Sequence, residues 1–175
     1  MPMANPKVEF NNVSSIRSEA LGEPGHRTFR IVVDGEIDSA TMWLEKEQLF
    51  QLAVAITRLQ ATLPDRESST LRQSGSNQEQ PPAGLEFQVS KLVLGHEGHS
   101  DRFIIDAHDV ETEEDEPPAV RLWGDRSMLA SFAEESLRIC AGGRPLCPLC
   151  GGPINPEGHT CPRSNGHQVR DLTEV

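Results

Sequence analysis

The chain has 175 residues, of which 36% are hydrophobic and 25% charged, with 13 Pro and 14 Gly. That length makes about one domain and suffices to bury a core without disulfide staples. The formal charge of -11 excludes ordinary DNA binding, which needs clustered Lys and Arg to neutralise phosphates. No stretch approaches the roughly 20 apolar residues of a membrane helix, and Met1–Phe10 has no apolar signal segment. A cytoplasmic protein with no membrane partner is expected.

Residues 1–12 are polar and without period, and read as a disordered N-terminus. From Val13 the sequence alternates, with Ile16, Ser18 and Ala20 on one parity, up to the turn Gly22-Glu23-Pro24-Gly25. Arg27–Val33 places Phe29, Ile31 and Val33 on one face, the period of a half-buried strand. Asp34-Gly35 signals a hairpin, and Ile37–Leu44 returns with Ala40, Met42 and Leu44 opposite Thr41 and Trp43. The period then changes. Leu49, Leu52, Ala53, Ile56 and Leu59 form a helical stripe from about Lys46 to Leu63, which Pro64 stops. Residues 64–83 are rich in Ser, Gln and Pro, and read as a flexible linker.

The second half repeats this plan over residues 84–143. Leu85–Leu94, Arg102–Ala107 and Ala119–Trp123 read as strands, the last two separated by an acidic loop at Glu111–Glu116. Asp125 is placed as an N-cap, and Met128, Leu129, Phe132, Ala133, Ser136, Leu137 and Cys140 mark a helix face. Leu21-Gly22-Glu23-Pro24-Gly25-His26 aligns with Leu94-Gly95-His96-Glu97-Gly98-His99, and Trp43, Leu49, Ala53 and Arg58 with Trp123, Leu129, Ala133 and Arg138. The expected body is therefore α+β: a duplicated strand-strand-strand-helix unit (13–63 and 84–143). Pairing the units gives an antiparallel sheet of about six strands, with two helices on one face. The core candidates are Met42, Trp43, Phe50, Leu52, Ile56, Phe103, Ile105, Trp123, Leu129 and Phe132.

Residues 144–167 differ in kind. Arg144, Arg163 and Arg170 balance Glu157, Asp171 and Glu174, so the excess negative charge lies entirely on the body. Cys147-Pro148-Leu149-Cys150-Gly151-Gly152 has the form of a zinc knuckle, and His159-Thr160-Cys161 follows within reach. Three thiolates and one imidazole complete a tetrahedral shell, predicting one structural zinc on Cys147, Cys150, His159 and Cys161. His167 is the alternative fourth ligand. The segment is otherwise polar, Gly and Pro, so a bound metal is its source of order. Cys140, on the helix face, reads as a buried apolar residue. Residues 168–175 read as a disordered tail.

Weaker signals remain. His26, His96 and His99 sit in the two Gly-rich turns, where a twofold duplication would gather them at a cleft able to bind a ligand. No nucleophile–base pair stands out. The leading reading is a non-catalytic accessory or adaptor protein that docks other proteins. The alternatives are an enzyme or enzyme subunit using the three histidines, and RNA binding through Arg163 and Arg170 on the knuckle.

Two stretches carry a family resemblance. Gly22-Glu23-Pro24-Gly25-His26-Arg27-Thr28-Phe29 is the first. The second is Cys147-Pro148-x-Cys150-Gly151-x-Pro153-x-x-Pro156-Glu157-Gly158-His159-x-Cys161-Pro162-Arg163-x-Asn165-Gly166. Together they resemble the domain-of-unknown-function family 3090, typical of actinobacteria, over about Val13–His167. The resemblance implies a bacterial cytosolic protein with the Cys-and-His motif at its end. It also implies neighbours resembling a histidine phosphatase and a lipid kinase as partners. The family has Gln at the position of His26 and an aromatic residue at that of His167, which favours His159 as the fourth ligand.

Overall fold

The computed structural model describes residues 5–23, 26–65, 84–142, 147–152, 154 and 158–163. The expected linker beyond Asp65, the turn residues Pro24 and Gly25, His167, Arg170 and the tail lie outside the described residues. Seven strands and two helices follow in order: β1 (Val8–Phe10), β2 (Val13–Leu21), β3 (Thr28–Gly35), β4 (Ser39–Leu44), α1 (Lys46–Thr62), β5 (Leu85–Glu97), β6 (Arg102–Asp109), β7 (Val120–Gly124) and α2 (Arg126–Cys140). Both halves thus contain a strand-strand-strand-helix run, and each helix begins where the apolar period changes from two to 3.6. Asp125 caps α2 as expected, accepting from the Met128 N–H at 2.7 Å. Glu45 and Gln48 form a reciprocal capping box on α1.

The sheet order is β1-β7-β6-β5-β4-β3-β2. Three features of the expected sheet are corrected. There are seven strands, because Val8–Phe10, expected to be disordered, pairs with Val120–Leu122. The sheet is mixed, because β1·β7 and β4·β5 are parallel. Finally, the two halves follow one another along the sheet, with β4 parallel to β5, so that corresponding strands stand three places apart.

The two edges of this sheet are joined by only Asn11 and Asn12. Phe10 and Val13 can be at most about 11 Å apart, whereas six flat strand intervals would span about 29 Å. The sheet therefore curls until its edges meet. Phe10 of β1 packs on Gly35 of β3, where an added Cβ would lie 2.8 Å from the ring. Arg102 of β6 donates to the Asn11 carbonyl.

The concave face holds the core. Phe29, Ile31 and Val33, then Ala40, Met42 and Leu44, then Phe103, Ile105 and Ala107 line it, with Val120 and Leu122. Leu49, Leu52, Ala53 and Ile56 of α1 and Leu129, Phe132 and Ala133 of α2 pack into it. The helices are antiparallel: Cys140 Sγ lies 3.8 Å from the Lys46 carbonyl at one end, and Gln60 donates to the Arg126 carbonyl at the other. Ser136 reaches Ser18 of β2 at 3.0 Å, a close approach that two small residues permit.

Trp43 and Trp123 leave the expected core. Each is one residue out of step with a buried neighbour, Met42 and Leu122, and so faces outward. Each is held there alike: Trp43 donates to Glu86 at 2.6 Å beneath Arg30, and Trp123 donates to Glu9 at 2.8 Å beneath Arg102. Phe50 is only partly buried. Phe132→Ala should lower unfolding free energy by about 3–5 kcal/mol, because its ring is enclosed between helix and sheet. Trp123→Ala should cost clearly less. Urea denaturation of both variants checks the assignment of faces, and the reverse order would overturn it.

Candidate metal centre

α2 ends at Cys140, with Gly142 (φ 68°) donating back to the Ile139 carbonyl. The Cys-x-x-Cys turn is built from local backbone geometry. The Cys147 N–H donates to the Gly152 carbonyl at 2.7 Å, and the Gly151 N–H donates to the Cys147 carbonyl at 2.8 Å. Gly151 takes φ 71°, the left-handed region that a side chain would strain. The turn aims N–H groups at sulfur: those of Cys150 and Leu149 at Cys147, and that of Gly152 at Cys150 at 3.4 Å. The returning segment is pinned by Arg163, which donates to the Leu149 carbonyl at 3.2 Å.

Cys147, Cys150, His159 and Cys161 come together as the spacing predicts, with all ligand atoms within 4.8 Å of one another. Cys147 Sγ and Cys161 Sγ are 3.8 Å apart, and His159 Nε2 lies 3.1 Å from Cys150 Sγ. Tetrahedral geometry with metal–sulfur bonds near 2.3 Å requires sulfurs about 3.8 Å apart. The donor set therefore fits one mononuclear ion, and it is too tight to span two metals. His159 stands at the fourth position, and the alternative His167 lies outside the described residues. Cys140 stands outside the group.

The electrostatics match a cation site. The Cys150 and Leu149 N–H groups pull the Cys147 thiol down to about 6. Cys150 is helped by the Gly152 N–H, but burial and the adjacent Cys147 and Cys161 outweigh it and raise its pKa. Crowded thiolates repel one another, and a cation held between them would offset that repulsion. Cys140 is pushed up to about 11 by burial, as an inert residue should be.

The other predicted site is divided between two separate turns. The β2–β3 and β5–β6 turns lie three strand intervals apart, about 14 Å along the sheet. His26 is exposed, its N–H donating to the Glu23 carbonyl at 2.9 Å. His99 is also exposed, its N–H bound by Glu97. Glu97 takes the Ser100 hydroxyl and N–H as well, which hold its carboxyl at about 2. His96 packs its ring 4.9 Å from Phe103, and its Nε2 lies 2.7 Å from Asp101. Asp101, at φ 53°, also accepts from Arg126 at 3.2 Å, and these two partners lower its pKa. Sequence reasoning missed Asp101 and Arg126. The only signal was an Asp at the end of a tight turn after His96.

The sequence profile of the family described as "Protein of unknown function (DUF3090)" matches residues 8–161. The chain belongs to this family. The match takes in β1, all of the curled sheet, both helices and the four-residue ligand group of this DUF3090 chain. No curated protein and no solved structure matches it. Among the described residues no helix is long and apolar enough to cross a membrane.

Cobalt(II) added to the purified chain should give the intense visible bands of a tetrahedral thiolate site. Cys140→Ser should keep those bands, and Cys150→Ser and Cys161→Ser should abolish them. Unchanged bands in Cys150→Ser would overturn the ligand set.

Proposed function

We propose that this DUF3090 chain is a non-catalytic zinc protein that docks other proteins, in which the ion is structural. The observation that carries this reading is the closed donor set: four protein ligands around one position. A shell filled by protein leaves no place for a reacting water, in contrast to catalytic zinc sites with three ligands. The soft thiolate donors favour zinc over the oxygen-seeking cations. When bound, the ion supplies a cross-link between the Cys147–Cys150 turn and the His159–Cys161 segment. The residues do the rest: N–H groups of the turn orient the sulfurs, and Arg163 ties the segment back.

The docking role draws support from the surface. Leu149, at the tip of the knuckle, is 54% exposed and flanked by the exposed Pro148. The outer sheet face is engaged in its own ion pairs, such as Arg121 with Asp106 at 2.7 Å and Arg17 with Asp34 at 2.7 Å. Partners resembling a histidine phosphatase or a lipid kinase are part of the proposal.

Elemental analysis of chain purified without added metal should find one zinc per chain. A strong chelator should abolish order in the knuckle while leaving the urea midpoint of the body almost unchanged, because its core is separate. Affinity capture from native lysate, repeated with Leu149→Asp, should return a protein partner that the variant loses. Metal-free chain with reactive Cys147, Cys150 and Cys161 would overturn the zinc assignment. Capture of no protein by the loaded chain would overturn the docking role.

A further inference from the structure

β5 is 13 residues long, but β4 accompanies only its first part, from Leu85 to Gln88. There the chain leaves the sheet to form α1. On its other side β5 pairs with β6 from Val89 to Glu97. Among the described residues, no strand covers the opposite edge beyond Gln88. The Gln48 side chain donates to the Val89 and Ser90 carbonyls at 3.3 Å, standing in for a neighbouring strand where the ladder stops. From Lys91 to Glu97, about 20 Å of strand, alternate N–H and C=O groups point away from β6.

α1 runs beside this edge and leaves a groove of about 410 Å³. Leu92 and Leu94 form its floor, and Gln51 and Ala55 of α1 stand opposite, with Glu47 and Lys91 at its rim. Leu92 and Leu94 pair with Ala107 and Ile105, which are 0% and 1% exposed. Yet Leu92 and Leu94 remain only partly covered, because no described residue closes the groove over them. Natural edges are normally guarded. Among the described residues this one is guarded only at its start, by the irregularity between Val89 and Lys91 and by the lysine itself.

We infer that the free edge of β5 and the facing side of α1 form a binding groove for an extended peptide, which adds to the sheet as a strand. The backbone supplies the affinity, and the apolar floor selects alternate side chains. The occupant is a basic partner segment with apolar residues at every second position. Glu47 offsets Lys91 within the groove, and the chain as a whole carries a net charge of -11, which draws a basic segment toward it. The inference rests on the docking role proposed above and adds to the knuckle tip a second surface, with the class of segment it binds.

The probe is a fluorescein-labelled nonapeptide alternating Lys with Val, titrated into the full chain loaded with zinc. Three comparison peptides carry Glu in place of Lys, or N-methyl groups on one or the other parity of amides. The parent peptide should bind, and N-methylation of only one parity should weaken it by at least about tenfold, as strand pairing demands. The Glu peptide should bind more weakly. Gln51→Trp, an exposed helix position, and Ala55→Trp should each fill the groove and weaken binding by a similar factor without lowering the melting temperature. Amide exchange should slow within residues 91–97 of the complex. Equal loss from both parities, binding indifferent to both Trp variants, or no binding at all would overturn the groove. So would a concentration-dependent dimer abolished by Gln51→Trp, which would assign the edge to a second copy. Partner capture that survives both Trp variants would overturn the groove and leave the docking role standing.

Discussion

The rest of the molecule depends on the two-residue connection between β1 and β2. These strands lie at opposite ends of the sheet order, yet only Asn11 and Asn12 separate them in the chain. A flat sheet cannot satisfy that link, so the twist natural to strands accumulates into a curl. Curling makes one face concave, and a concave face of this width takes two antiparallel helices. Their apolar stripes, with Leu49, Ile56, Leu129 and Phe132 fully buried, are covered on several sides by one sheet. Burying such side chains contributes about 1.5–3 kcal/mol each before conformational entropy is set against it. The close contact of Ser136 with Ser18 shows how near α2 comes to the β2 edge. Larger residues at either position would push the helix out and reopen the seam.

Two separate sources of order operate in one chain. The body is held by apolar burial, and its charged groups lie on the outer face, paired across strands as Glu19 is with Arg30. The knuckle has little apolar surface to bury. Its fixed features are a Gly-bearing turn, N–H groups aimed at sulfur and donors at tetrahedral spacing. Cys147 ionises readily while Cys150 resists, so a cation bound between them would displace a thiol proton.

The same crossover that builds the core also creates the edge of β5. A parallel β4–β5 pair requires a long connection, and α1 supplies part of it. To cross, the chain must leave the sheet at Leu44, while β5 continues well beyond that level to reach its hairpin with β6. An unpaired stretch beside a helix is the geometric result. The partial exposure of Leu92 and Leu94 against fully buried Ile105 and Ala107 marks where the core stops being closed.

Local regularities were legible in the residues themselves. Alternation located six strands and the inner face of β3, the helical stripes and Asp125 located both helices, and the Cys and His spacing located the four-residue group. These are short-range properties: side-chain period, cap chemistry and the reach of a tight turn. Even the outward set of Trp43 follows from its parity against Met42, although an aromatic residue invites placement in the core. Tertiary structure alone decided which strands are neighbours. Period two says which way a side chain points and nothing about the strand beside it, so the order, the parallel pairs and the curl were not readable. Val8–Phe10 is too short to show a period, and pairing with Val120–Leu122 makes it a strand. His26, His96 and His99 were legible as turn residues, but their separation follows from strand order. The free edge of β5 is an absence of partner strands among the described residues, which no residue in the strand encodes.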